Sequence, residues 1–138
     1  GCHLNRFLDI DLIKSRLLFW GCARYGLTGY LHWGFNYWPE DAQYDPFECS
    51  NTPNAAFRGI YPSGDAYIVY PGEDGPLPGM RLEAQRRGAE DYELLLLLKA
   101  VKPMEYERLM KKTLRGFSDY NADAEAFEET RRELLSLL

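Results

Sequence analysis

At 138 residues the chain can build one domain with a hydrophobic core, and it is too short for a closed eight-fold (β/α) barrel of about 250 residues. Its 16 basic and 21 acidic residues give a net charge of −5 with no long like-charged block, which argues against a nucleic-acid or anionic-membrane surface. The apolar run Leu94–Leu98 falls far short of the roughly 20 residues that span a bilayer.

The N-terminus lacks the basic-then-apolar pattern of a signal peptide. It also opens on Gly1 and Cys2 rather than Met, which suggests a processed piece, so localisation is unknown. Cys2, Cys22 and Cys49 match no zinc spacing and leave one thiol over in any disulfide scheme, so they read as free thiols. With only His3 and His32 beside them, no metal and no cofactor is expected.

Composition changes near Gly79: residues 1–78 hold 15 of the 20 aromatics and 7 of the 8 prolines. Ile10, Ile13, Leu17 and Trp20 recur at helical spacing, Asp9 or Asp11 can cap that helix, and Gly26 sits where a left-handed C-cap is wanted. Gly29–Phe35 then reads as a short strand with large groups on both faces, the pattern of a buried parallel sheet, with Tyr30, Leu31 and Phe35 as core. Prolines at 39, 46, 53 and 62 make 36–64 a long loop, and Ala66–Tyr70 a second strand ended by Pro71 and Gly72.

From 79 onward the chain reads as helix. One helix runs from about Gly79 to Val101, with Glu83–Arg87 and Arg87–Asp91 spaced for i,i+4 pairing and a leucine run that must be covered almost all round. Gly88 in its middle implies the close approach of another element. Two more helices follow, Met104 to about Arg115 and about Ala122 to Leu138. The chain thus divides into 1–78, two short strands with an aromatic loop, and 79–138, helices packing on them, as one structural unit.

The segment Tyr30–Phe47 has 7 aromatics among 18 residues, interrupted by His32, Asn36 and Gln43. Flat apolar rings beside directional hydrogen-bonding groups suit a sugar. Trp33, Asn36, Trp38, Tyr70 and His32 are therefore the candidate substrate-binding residues. Arg81 and Glu83 are expected to lock helix to strand. The acidic pairs Glu40–Asp41 and Glu90–Asp91 read as loop charge and structural ion pairing, which leaves no catalytic candidate. A glycine-rich phosphate cradle at Gly72, Gly75 and Gly79 lacks the required register.

The ordered motifs Thr28–Trp38, Asp45–Pro46, Tyr70–Gly72 and Arg81–Glu93 resemble the end of an uncharacterised bacterial domain family. That family is similar to the β-N-acetylgalactosaminidases of glycoside hydrolase family 123, and the likeness covers residues 5 to about 98. Two positions depart from its pattern: Gly79 stands where the family has serine, and Arg87 where it has aspartate. The resemblance implies an α/β fold, the C-terminal fragment of a (β/α) barrel with two short strands, about four helices and a helix-rich second half. It implies a hexosaminidase-like parent protein in which an adjacent Asp-Glu pair on an earlier strand works with the substrate's own acetamido group. No such strand is recognisable here, so the chain alone is expected to be inactive and to contribute a wall for a 2-acetamido sugar.

The expected partners are a carbohydrate, the missing N-terminal part of the same protein, and a second copy that covers the open strand edges of 29–35 or 66–70. No nucleic acid and no membrane is expected. A stand-alone carbohydrate-binding module and a helical interaction domain are the alternatives; the latter requires buried aromatics and an exposed Leu94–Leu98 ridge.

Overall fold

A computed structural model describes residues 3–39, 44–48, 51–54 and 59–138. Cys2, Glu40, Asp41, Gln43 and Cys49 lie outside the described residues. Among the described residues the architecture is mixed, with four helices and short antiparallel ribbons.

Helix α1 spans Leu12–Tyr25, with Asp11 as its N-cap residue. Gly26 adopts φ 65°; its N–H bonds the Ala23 carbonyl and that of Leu27 the Cys22 carbonyl, so a Schellman motif ends the helix. Helix α2 runs Met80–Val101 and α3 Pro103–Thr113, and Pro103 both ends one and starts the other. Helix α4, Ala124–Leu137, is capped by Asp123, whose side chain accepts from the Ala126 N–H at 2.7 Å.

The core lies among the helices. Leu17, Trp20 and Ala23 of α1 meet Leu95 and Leu98 of α2, Leu109 and Met110 of α3, and Phe127 and Leu134 of α4. Trp20 and Phe127 pack edge to face with centroids 5.1 Å apart. Helices α1 and α2 form the most extensive helix pair, and Gly88 permits it: a Cβ there would lie 2.6 Å from a Phe19 ring carbon and 2.9 Å from the Arg16 carbonyl. The close approach expected at Gly88 is therefore found.

Asp91, fully buried, ties three helices together. It accepts from Arg16 at 2.7 and 3.1 Å, from Trp20 Nε1 at 3.2 Å and from Arg131 at 2.9 Å, while Arg16 also reaches Glu128 at 2.6 Å. This corrects the expected local pairing. Arg87 pairs with neither Glu83 nor Asp91; Arg86 joins Glu83 and Glu90, because Arg87 projects from an exposed position while Asp91 turns toward α1 and α4. The leucine run is corrected too. Leu95 and Leu98 are buried, but Leu97 is 56% exposed, since only one side of α2 has neighbours at that end.

The strands differ most from expectation. Strand β1 (Pro53–Asn54) pairs with β2 (Gly59–Ile60), β3 (Val69–Tyr70) with β4 (Leu77–Pro78), and β5 (Leu114–Gly116) with β6 (Asp119–Tyr120), all antiparallel. Residues 29–35 form no strand; the adjoining Asn36 makes a single antiparallel bridge to Tyr67, flanked by bonds from Ile68 N to Phe35 O and from Tyr37 N to Ala66 O. Among the described residues between these segments there is no crossover helix, and a chain returning without one pairs antiparallel. Tyr30, Leu31 and Phe35 are likewise not core: they are 37%, 93% and 51% exposed, because among the described residues no second layer covers that face. Ala66–Val69, by contrast, is interior.

Candidate functional site

The turn before the buried segment 66–69 carries the polar centre of this region. Gly64, at φ 70°, lets the chain turn so that Asp65 faces residues 32–34. Asp65 is 8% exposed; one oxygen accepts from Trp33 Nε1 at 2.9 Å and the other lies 3.1 Å from His32 Nε2. Gly34 permits this closeness, since a Cβ would meet the Ala66 carbonyl at 2.6 Å. Arg81, in the first turn of α2, secures the same turn by donating to the carbonyls of Arg6 at 2.9 Å and Gly64 at 2.5 Å. Arg81 thus ties the helix to a turn rather than to a strand, while Glu83, expected to share that role, pairs with Arg86 along its own helix.

The His32 tautomer follows from its neighbours. Nδ1 faces two groups that can only donate, Arg6 Nη2 at 2.5 Å and the Gly34 N–H at 3.2 Å, so it is the bare acceptor and Nε2–H donates to Asp65. Gly34 O also lies 3.3 Å from Nδ1, but two donors outweigh one longer acceptor contact. Burial, then the nearby Arg6 guanidinium, push the imidazole below its usual range, and Asp65 offsets this only in part. His32 is thus neutral with its lone pair occupied, which suits a positioning role rather than that of a general base.

Trp33 is the platform. Its indole sits 4.4 Å from the Tyr61 ring and 5.8 Å from Tyr37, and 48% of its surface stays open. Asn36 is exposed, with its backbone bridged to Tyr67. Trp38 is half-buried, and its Nε1 is buried without a partner among the described residues. Tyr70 stands apart: it stacks on Phe47 at 5.0 Å and lines a second cavity of about 470 Å³ with Leu77 and Met80. The structure therefore sets His32 and Trp33 on one carboxylate and places Tyr70 in a different hollow.

Sequence reasoning missed Asp65 and Tyr61. The available signal was an acidic residue after glycine at the start of the most apolar strand, where a carboxylate is costly unless paired. With both its oxygens engaged, this carboxylate holds the His32 and Trp33 rings in place. Among the described residues no three His, Cys, Asp or Glu side chains gather to hold a metal.

No curated protein matches the chain. The family described as "Glycoside hydrolase 123, catalytic domain" matches residues 2–98, a span that contains α1, the Trp33 platform, Asp65 and nearly all of α2. The chain belongs to the glycoside hydrolase 123 catalytic-domain family.

Proposed function

We propose that this chain is the C-terminal portion of a glycoside-hydrolase-like barrel protein and contributes an aromatic wall for a 2-acetamido sugar. The observation that carries this is the indole of Trp33, open to solvent, backed by Tyr61 and held in place by Asp65. Such a ring can cover the C–H face of a pyranose while Asn36 bonds a hydroxyl at its rim. Trp38 would extend the wall, and His32 acts through Asp65.

The acid that protonates the leaving oxygen and the carboxylate that steers the acetamido group would come from the missing N-terminal part of the protein. Removing roughly 100 Å² of apolar surface from water contributes about 2.5 kcal/mol, so the chain alone is a weak, roughly millimolar binder. The helical interaction domain loses ground, because Trp33 is half-exposed while Leu95 and Leu98 are interior. Titrating N-acetylgalactosamine while following tryptophan fluorescence tests the proposal. Saturable quenching that disappears in Trp33→Ala supports it, and an unchanged titration in that variant refutes it.

A further inference from the structure

A separate cavity of about 550 Å³ opens between α1, α2 and residues 28–35. Its size falls in the range of small-molecule sites, and Phe19, Tyr30, Phe35 and Tyr92 line it with aromatic rings. Trp33, Asn36, Trp38 and Tyr61 take no part in it, but His32 lines it and accepts from Arg6, so it adjoins the proposed sugar wall.

Two buried side chains on this wall carry unused donors. Gln85 is 9% exposed and Arg6 2% exposed, and among the described residues neither Gln85 Nε2 nor Arg6 Nε has a partner. Buried donors normally find acceptors, so an orphaned pair on one cavity wall marks a place for an acceptor from outside. Charge points the same way. The buried guanidinium of Arg6 lines the cavity, whereas the Asp65 carboxylate does not, which leaves that wall with positive charge. Burial also raises the Tyr30 phenol, which stays protonated and able to donate. Glu93 lines the cavity from an exposed position, where solvent screens its charge.

We propose that this cavity binds a six-membered ring carrying a carboxylate, with the carboxylate on Arg6 and Gln85 and the ring between the aromatic side chains. A guanidinium donates well to carboxylate oxygens, and the amide of Gln85 adds a neutral donor. The ring can come from an aryl acid or from a sugar acid, since both pair an apolar face with a carboxylate.

Calorimetric titration of the 138-residue chain with phenylacetate and with glucuronate separates the two sources. At least one should bind with a millimolar or lower Kd, and its uncharged amide should bind about tenfold more weakly or less. Gln85→Leu should weaken the bound acid about tenfold while leaving the melting temperature unchanged or higher, because an unsatisfied group is removed. Arg6→Lys should also weaken it. Should that variant fail to fold, Gln85→Leu decides alone. Absence of binding by both acids, equal binding of acid and amide, or full affinity in Gln85→Leu would each overturn the assignment.

Discussion

Trp33 donates its indole N–H to Asp65 at 2.9 Å, although 32 residues separate them. One carboxylate thereby sets the tilt of the most open aromatic platform and, through its other oxygen, the tautomer of His32. Asp65→Asn would keep the shape but present an amide N–H to one of the two donors. Stability should fall by about 1–3 kcal/mol. Affinity for the acetamido sugar should fall several-fold as Trp33 gains rotamers, with the tryptophan emission shifting to the red. Unchanged emission and affinity would show that Asp65 does not orient the ring.

Asp91 has the largest structural stake. Replacing it with Ala leaves the buried Arg16 without its bidentate partner, which should cost about 3–5 kcal/mol in urea denaturation. Arg131→Met should cost much less, because Asp91 keeps both bonds from Arg16 and the one from Trp20 Nε1.

Gly88→Ala sets helix propensity against packing. Alanine favours the helix by about 1 kcal/mol. The added Cβ, however, would press on the Phe19 ring, which can swing, and on the Arg16 carbonyl, which cannot. Net destabilisation of about 1–3 kcal/mol is expected in thermal melts. A stabilised variant would mean that α1 and α2 can move apart freely.

The lowered His32 pKa predicts an acid-side loss of stability. The folded protein holds the imidazole neutral below its ordinary value of 6.5, whereas the unfolded chain protonates there. Stability is then fully present above about 6.5 and falls as pH drops toward the depressed folded value, by at most about 1.4 kcal/mol per pH unit. His32→Gln should flatten the pH profile of the urea midpoint below about 6.5. An equally steep profile in the variant would assign the titration elsewhere.

Residues 29–35 expose Leu31 and Phe35 on one uncovered segment, and we propose that a second copy covers them at high concentration. Light scattering should show association that Leu31→Glu reduces. Equal masses for the two proteins across the concentration range would argue against this contact.

The helical half was legible because its signals are local. The period of the α1 residues, Gly26 at its end, the Pro103 break and the one glycine inside α2 each act within a few residues of the chain. Trp33 and Asn36 stood out by residue type, as aromatic and amide beside one another. Only the tertiary structure decided their surroundings. Whether Leu31 or Leu95 is buried depends on which element lies opposite, and a short aromatic segment with large groups on both faces carries no period that reveals it. Asp91 could have paired with Arg87 along its own helix, yet packing of α1 and α4 supplied Arg16 and Arg131 instead, where burial makes each bond stronger. Asp65 became the centre of the site for the same reason. Its partners are distant in sequence, and a buried carboxylate goes wherever donors converge.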